Sequence, residues 1–423
     1  MSNSFFTVIS AEEFVEKLTE FPPTEPENIS LAECTDHILA TDLIAPESLP
    51  KVNRSCMDGF AVRAMDTFGA GEAEPLYLEN IADIHVDDRP DFHLENGECA
   101  RIPTGGTLPD GADGVVMVEY THAMNGLDTG NGTIEIRKGL APGDNVMLRG
   151  EDAQEGKVVL TAGTKLRPQE IGLLAALGIT EVAAHRSPVV GILSTGDELV
   201  EVQAGVPCPE GKVRDVNSYT LAAIIAKGGG IPKQYGIVKD DLEALSTSIK
   251  KAVTECDLVL LSGGSSVGMR DLTVEAILAQ PNSEIQAHGV AMSPGKPTIL
   301  ANVENDGVKT PVVGLPGQVT SVQVVMQILI IPFIHQLAGH KQSFEATSFS
   351  GPEAKLACNV YSRQGREDYI RVALERTKAG LSATPLYGRS GLLRTLLLAD
   401  GLIRIPAEAE GLYEGETVTV RPF

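Results

Sequence analysis

The sequence predicts a multidomain α/β protein with a central, doubly wound α/β domain over residues 186–338. From residue 188 onward, short apolar runs typical of buried strands alternate with helical segments, as in a parallel sheet. Short β-like runs separated by Gly, Pro and Asp turns fill residues 51–139 and recur after residue 339. A length of 423 residues accommodates two to four domains.

The composition excludes several kinds of partner. The chain has 34 Lys and Arg residues against 57 Asp and Glu residues, a formal net charge of −23, which excludes nucleic acid and anionic membranes as partners. The six cysteines are scattered without a Cys-x-x-Cys pair, which favours free thiols in a reducing compartment. Because the chain does not start with a signal peptide, we expect a cytoplasmic protein. The apolar segment 319–337 contains Pro332, His335 and three glutamines, which indicates a buried helix and no membrane span.

Element patterns divide the chain into four predicted domains. Residues 1–50 and 140–185 form an N-terminal domain with helices at 11–18, where Ser10 and Glu13 have capping-box spacing, at 31–40 and at 168–177. Residues 51–139 are a β-rich insertion in that domain, and residues 339–423 form a small β-barrel-like domain. In the central domain, we predict strands at 189–193, 234–238, 258–261 and 312–315, and helices at 218–227, 242–254, 272–279 and from 319.

One stretch of the central domain predicts an anion site. An apolar strand at 258–261 leads into the Gly- and Ser-rich segment 262–268, and a predicted helix follows. Free backbone N–H groups and the start of a helix attract phosphate groups. Asp271 lies at this mouth, where its carboxylate would either bind Mg²⁺ beside a phosphate or cap the helix. Both alternatives are open from this stretch alone.

The other strands of the predicted sheet end in similar loops. Asp197 and Glu198 follow the first strand, Asp240 and Asp241 follow the second, and a glycine loop at 314–318 follows the fourth. The carboxyl ends of parallel strands build the ligand site in such sheets. Two acidic and two glycine loops therefore predict a site for a metal and a phosphorylated ligand at one sheet edge.

Several motifs are ambiguous alone but occur in a specific order. Read singly, Asp58-Gly59 is a turn, 149–152 is a charged loop, and 194–199 is a helix cap. The ordered set comprises SCMDGFAV (55–62), RIPTG (101–105), GVVM (114–117), RGED (149–152), IGLLA (171–175), ILSTGDEL (192–199), SGGSSVGMRD (262–271), PGKP (294–297), GLPG (314–317), Arg371 and ADGLIRIP (399–406). Taken together, they make the chain resemble the molybdopterin molybdenumtransferase family, to which the gephyrin C-terminal domain belongs.

The resemblance implies a fold and an activity. It implies an elongated homodimer, with residues 186–338 as the pterin-binding domain and an active cleft completed by the N-terminal region of the other subunit. The substrates would be adenylylated molybdopterin and molybdate, and the products the molybdenum cofactor and AMP. Mg²⁺ would be held near the phosphoanhydride, because bridging cations neutralise phosphate charge.

The resemblance also implies roles for individual residues. The catalytic positions on the partner subunit match Asp58, Thr104 and Asp152, and those of the α/β domain match Glu198, Asp240 and Asp271. Glu198 and Asp271 would bind the metal. Phosphate or pterin would be cradled by Ser262, Gly263, Gly264 and Ser265. Molybdate, a tetrahedral oxyanion, would be bound at the positions of Lys296, Pro297, Ser321, Arg371 and Ser390.

Three departures from the family pattern lie on or near the molybdate side. Ser293 stands where the family has Lys, Gln318 where it has Asn, and Arg394 where it has Ser. They favour an alternative to the enzyme, namely a protein that binds the pterin or its adenylylated form as a weakly catalytic or non-catalytic scaffold. An unrelated α/β nucleotide-binding enzyme would explain only the middle domain. The full acidic set favours the enzyme.

Overall fold

The computed structural model describes residues 8–124, 132–263, 267–341, 343–346, 349–378, 380–389 and 391–423, with the side chains of 267–271, 345 and 346 outside this description. Two compact units divide the chain. One contains the residues up to 40, 163–167 and 182–423, and the other contains residues 41–162 and 168–181. This division is coarser than the four predicted domains, whose boundaries stay a prediction.

The first 185 residues are rich in short strands. Their elements are α1 (Ala11–Thr19), β1 (Pro26–Ser30), β2 (Ile38–Leu39), β3 (Leu43–Ile44), β4 (Arg54–Ser55), β5 (Gly59–Val62), a 3₁₀ turn (Ala64–Thr67), β6 (Leu76–Asp83), β7 (Glu98–Ile102), β8 (Gly114–Met117), a 3₁₀ turn (Val118–Tyr120), β9 (Thr121–Ala123), β10 (Gly132–Ile136), β11 (Val146–Met147), β12 (Val158–Leu160), α2 (Pro168–Ala176) and β13 (Glu181–His185).

Two of the three helices predicted in this part are confirmed. At the start of α1, Ser10 Oγ accepts the backbone N–H of Glu13 at 3.0 Å, and the Glu13 carboxylate accepts that of Ser10 at 2.9 Å, which completes the capping box. Helix α2 begins at Pro168, as proline at a first helical position favours. The helix predicted at 31–40 is wrong. Asp36 has a left-handed backbone (φ +67°) that stops helical turns, and β2 pairs with β13.

The second unit contains a six-stranded sheet in the order β8-β5-β7-β6-β10-β9. Alternate residues of β5, the second strand in this order, pack into different cores: Phe60 and Val62 into one, and Ala61 into another. Gly59 begins β5 where a Cβ atom would lie 1.9 Å from the Val116 carbonyl oxygen. The two backbones are so close here that only glycine fits. Asp58, the residue before Gly59, therefore lies directly before the start of the strand.

The central domain follows the predicted βαβ order. Its elements are β14 (Val189–Thr195), β15 (Leu199–Val200), β16 (Val213–Arg214), α3 (Asn217–Lys227), β17 (Ile231–Val238), α4 (Leu242–Glu255), β18 (Leu258–Gly263), α5 (Val267–Leu278), β19 (Ser283–His288), β20 (Met292–Ser293), β21 (Ile299–Asn305), β22 (Val308–Leu315), α6 (Val319–Val325), a π-helical segment (Met326–Ile330) and α7 (Ile331–Leu337).

The central sheet is doubly wound, as predicted, but it is not entirely parallel. Its order is β17-β14-β18-β22-β21-β19, and its first four strands are parallel. Helices α3, α6 and α7 cover one face, and α4 and α5 cover the other. Strand β21 runs antiparallel to β22 because Asp306 and Gly307, both at positive φ, form a tight turn between them, and the edge strand β19 pairs antiparallel with β21. The Asp-Gly pair was the sequence signal for this hairpin, which the prediction missed.

The apolar segment 319–337 is a buried helix, as predicted. It is the one helix among the described residues that is long and apolar enough to cross a membrane, and 67% of its most apolar window is buried inside the protein. Its side chains pack with those of α1 and α3 on the sheet. The segment is therefore part of the core.

The residues after 342 form a β domain. Its elements are α8 (Ser343–Ala346), β23 (Glu353–Leu356), β24 (Val360–Tyr361), β25 (Glu367–Thr377), β26 (Gly380–Pro385), α9 (Arg394–Leu397), β27 (Gly401–Ile405), β28 (Gly411–Leu412), β29 (Thr417–Thr419) and β30 (Arg421–Pro422). The main sheet has the order β29-β23-β26-β25-β27-β30, and β20 of the central domain adds to β25 in parallel. This pairing joins Met292 and Ser293 to the β domain.

Candidate functional site

The parallel strands of the central sheet end at one edge, and the predicted acidic residues lie there. Asp197 and Glu198 follow β14, Asp240 follows β17, and Gly263 ends β18. Parallel neighbours share their carboxyl edge, so three loops that are distant in sequence meet at this edge. The sequence prediction of a shared edge is confirmed for these loops.

Backbone-to-carboxylate hydrogen bonds join the loops that contain Asp197 and Asp240. The backbone N–H of Asp197 donates to Asp240 Oδ2 at 2.9 Å, and the backbone N–H of Asp240 donates to Asp197 Oδ1 at 3.4 Å. The Glu198 carboxylate folds back over Gly196, where a Cβ atom would lie 2.8 Å from Glu198 Oε2. Three carboxylates therefore belong to one small cluster, which Lys212 borders by donating to the Asp197 carbonyl at 2.6 Å.

Asp240 is the perturbed acid of this cluster. Burial raises its pKa, and the neighbouring carboxylates of Asp197 and Glu198 raise it further, while the hydrogen bond from the Asp197 backbone lowers it. Its Oδ1 atom is buried and has no hydrogen-bond partner among the described residues. A buried carboxylate oxygen without a partner beside other acids is unfavourable unless a proton or cation reaches it.

No group of three or more His, Cys, Asp or Glu side chains in the described ranges is arranged to hold a metal ion by itself. The predicted metal ligand Asp271 is in α5, which begins at Val267 and not at residue 272. Asp271 therefore occupies the fifth position of the helix, and the alternative of an N-terminal cap is wrong. Its side chain lies outside the described residues.

Gly263 ends β18 at a very close approach to β14. It has φ +149°, and a Cβ atom there would lie 2.1 Å from the Thr195 carbonyl oxygen. No other residue type fits without moving the backbone, because such contacts are not observed below 3.0 Å. The bare backbone predicted from the glycine loop is present at Gly263. Gly264 and Ser265 lie outside the described residues.

Ser262 is buried and takes part in a contact that the sequence did not predict. Asn217, the first residue of α3, donates from Nδ2 to Ser262 Oγ at 2.8 Å and to the Gly317 carbonyl at 3.0 Å. One amide thus ties the loop after β22 to the end of β18. The sequence signal for this contact was the position of Asn217 at the start of a helix, two residues after the buried Asp215. Asparagine is also a common capping residue at such a position, so the signal did not single out this contact.

Two of the predicted molybdate residues lie in the loop after β20, and a third lies on the helix that packs against this loop. Pro297 and the exposed Lys296 are in this loop, and Gly295 (φ +125°) contacts Val325 of α6, where a Cβ atom would be 2.8 Å from Val325 Cγ2. Ser321 lies four residues before Val325, so it is on the same side of α6.

Arg371 belongs to the β-domain strand that pairs with β20. It is on β25, three residues after Asp368, which pairs with Ser293. Arg371 Nη2 donates to the Gly388 carbonyl at 3.4 Å, while Nη1 is buried without a partner in the described chain. Burial lowers the pKa of Arg371. Ser390 lies outside the described residues.

In the second unit, Asp58 and Thr104 form a pair. Asp58 precedes β5 and Thr104 follows β7, which is antiparallel to β5, so both residues lie at the same end of the sheet. The backbone N–H and the hydroxyl of Thr104 donate to Asp58 Oδ1 at 2.7 and 2.9 Å. These hydrogen bonds, that of the backbone first, hold the pKa of Asp58 below its ordinary value.

The loop that contains Asp152 is joined to the segment before Asp58. The Arg149 backbone donates to Asn53 Oδ1 at 2.8 Å, and the Asp152 backbone donates to the Leu49 carbonyl at 3.0 Å. The Asp152 side chain is exposed. The second unit thus presents exposed carboxylates on loops whose backbones are fixed by hydrogen bonds.

Three family models match successive parts of the chain. The MoeA N-terminal region (domain I and II) matches residues 7–178, a probable molybdopterin binding domain matches residues 191–336, and the MoeA C-terminal region (domain IV) matches residues 353–423. The probable molybdopterin binding domain is the part of the chain whose sheet edge holds the acidic cluster and Gly263.

Whole-chain relatives agree with these matches. A putative molybdopterin biosynthesis protein of Methanocaldococcus jannaschii is 34% identical over 420 residues, which are 97% of this chain and 96% of the relative. The molybdopterin molybdenumtransferase of Bacillus subtilis is 32% identical over 416 residues, 98% of this chain and 94% of the relative. The crystal structure of a molybdopterin biosynthesis MoeA protein from Pyrococcus horikosii superposes with a TM-score of 0.78 at 34% identity and covers 98% of both chains.

Proposed function

Since the chain belongs to the MoeA family and is a molybdopterin molybdenumtransferase of molybdenum-cofactor biosynthesis, we propose that it inserts molybdenum from molybdate into adenylylated molybdopterin with Mg²⁺-dependent release of AMP. The observation that supports this reaction most is the buried Oδ1 atom of Asp240, which lies beside Asp197 and Glu198 and has no hydrogen-bond partner among the described residues. Such an acceptor favours a site that a cation completes.

The residues at this edge fit Mg²⁺ better than a metal held by protein alone. Mg²⁺ keeps several water ligands and binds through one or two carboxylates plus substrate phosphates, so a site whose described residues do not include three converging ligands is suitable. Glu198 and Asp240 would hold the ion, together with the predicted ligand Asp271. The bound ion would neutralise the charge of the phosphoanhydride and so favour its cleavage.

The chain's own groups would orient the substrate. At Gly263 the absence of a side chain lets a phosphate approach the backbone, whose N–H groups attract anions. Burial raises the pKa of Asp240, and a bound cation would compensate that cost, so the ionised Asp240 would hold the ion and orient water near the phosphoanhydride. Both groups are positioned by strand ends and not by mobile side chains, which keeps their geometry fixed before the substrate binds.

We further propose a homodimer with composite sites. In the family pattern, Asp58, Thr104 and Asp152 of one subunit face the α/β edge of the other. The hydrogen bonds from Thr104 keep Asp58 ionised, so it would contribute a fixed negative charge or acceptor to the partner's site. The four-domain division and a cytoplasmic location are part of the same proposal.

The proposed molybdate site uses Lys296, Pro297, Ser321, Arg371 and Ser390. The buried Nη1 atom of Arg371, without a partner in the described chain, is a donor suited to an oxyanion. Burial lowers the pKa of Arg371 because the charged form loses hydration, and an anion would compensate that loss.

The test is AMP release from adenylylated molybdopterin by the full chain, with and without molybdate and Mg²⁺. We expect release to need both ions, and we expect Asp240→Asn to abolish it. The matched control is Asp241→Asn. Asp241 is the next residue, and its carboxylate caps α4 by accepting the Ala244 N–H at 2.9 Å; an asparagine oxygen can accept the same hydrogen bond, so this variant should keep both its stability and its turnover. Substrate binding without AMP release would instead establish the non-catalytic binding protein.

A further inference from the structure

The apolar face of the sheet beneath α3 ends in polar residues at the carboxyl edge of the strands. Alternate residues of β14 and β18 on this face are apolar until Ser194 and Ser262. These two serines are register partners in parallel strands, so their side chains lie next to each other on the same face. Each is 1% exposed. The end of the core is therefore lined with two buried hydroxyl groups.

Asn217 lies above these serines, and its orientation follows from its partners. Asn217 Nδ2 donates to Ser262 Oγ and to the Gly317 carbonyl. A carbonyl oxygen can only accept, so the amide nitrogen must face Gly317 and Oδ1 must point elsewhere. Among the described residues, Asn217 Oδ1 and Ser194 Oγ are both buried without a hydrogen-bond partner.

These atoms present a specific hydrogen-bonding pattern. Asn217 Oδ1 can only accept. Ser262 Oγ already accepts from Asn217, so its proton is available to donate, and Ser194 Oγ can also donate. A phosphate offers only acceptors and cannot use Asn217 Oδ1, and a cation would need charged ligands here. A ligand with an N–H group beside a carbonyl group satisfies both kinds of atom.

Resting on the proposed function, we infer that Asn217, Ser194 and Ser262 form a recess that recognises the lactam edge of the pterin ring. Asn217 Oδ1 accepts the ring N3–H, and the serine hydroxyls donate to the adjacent C4 carbonyl. Asn217 and Ser194 are then specificity-determining residues for the pterin. Guanine shares this edge, so pterin and GMP are separate arms of the test.

The first experiment compares competitors against adenylylated molybdopterin on the full chain. Pterin should compete better than 3-methylpterin, which has no N3–H, by about threefold or more, the effect of one lost hydrogen bond. In Asn217→Ala this preference should fall to about onefold. Equal competition in the wild type, an unchanged preference in Asn217→Ala, or stronger competition by GMP than by pterin would overturn the assignment.

The second experiment uses Ser194→Ala, because Asn217→Ala also removes two structural hydrogen bonds. Ser194 has no partner in the described chain, so this variant should keep or raise the melting temperature and weaken pterin competition about three- to tenfold. Ser248→Ala on α4, whose hydroxyl donates to the Ala244 carbonyl, is the control and should leave pterin competition unchanged. Unchanged competition in Ser194→Ala overturns its role.

The two proposals fail separately. AMP release with equal competition by pterin and 3-methylpterin would refute the recess and keep the proposed reaction. A preference for pterin over 3-methylpterin that depends on Asn217, without AMP release, would refute the reaction and keep the recess.

Discussion

Replacing Gly263 with alanine tests whether the loop after β18 must approach β14 as closely as the structure shows. The added Cβ atom would lie 2.1 Å from the Thr195 carbonyl oxygen and 2.3 Å from Thr195 Oγ1. Because real Cβ contacts stay above 3.0 Å, the two strand ends must separate by about 1 Å. The backbone at φ +149° is also one that alanine rarely adopts.

Both effects lower stability. Overpacking typically costs about 1–3 kcal/mol, and a strained backbone about 1–3 kcal/mol. Gly263→Ala should therefore lower the free energy of unfolding by about 2–6 kcal/mol. If the loop moves by about 1 Å, AMP release should fall about a hundredfold, because misplacement of that size disrupts substrate positioning.

Denaturant unfolding and the rate of AMP release measure these effects. The control is Gly307→Ala in the β21–β22 turn, where φ is +82° and no atom lies within 4 Å of an added Cβ. This variant has backbone strain without a clash, so it should lose about 1–2 kcal/mol and keep full AMP release. Equal losses of stability in the two variants, with full AMP release by Gly263→Ala, would refute the close approach.

Three further predictions concern charges. Burial and two neighbouring acids raise the pKa of Asp240, so its ionised form opposes folding. As pH rises through that pKa, the wild type should become less stable than Asp240→Asn by about 1 kcal/mol or less. Equal stability of the two proteins from about pH 4 to 8 in denaturant titrations would contradict this. Mixing inactive Asp58→Ala and inactive Asp271→Ala subunits should restore AMP release through one intact composite site per mixed dimer, whereas no recovery after verified subunit exchange would place the whole site in one chain. Ser293→Lys should lower the molybdate concentration for half-maximal cofactor formation about tenfold or more by adding a charge-assisted hydrogen bond, and an unchanged concentration would show that Ser293 does not face the anion.

Local patterns were sufficient for most elements of the central domain. Strands β14, β17, β18 and β22 and helices α3 and α4 lie where apolar runs and helical segments predicted them. The spacing of apolar residues within a short segment indicates which of its faces is buried, and this signal can be read without knowing the distant parts of the chain. Prediction was wrong where a local backbone feature decided the outcome, at the left-handed Asp36 and at the Asp306-Gly307 turn.

The sequence by itself determined the α/β class, the sheet edge and the acid-rich loops, because strand order along the chain and residue type establish them. Only the tertiary structure decided which groups meet. Asp197 and Asp240 pair across 43 residues, and Asn217 reaches Ser262 across 45 and Gly317 across 100. Such contacts depend on the spatial order of strands, and the buried atoms that they leave without partners become visible only when every neighbour is in place.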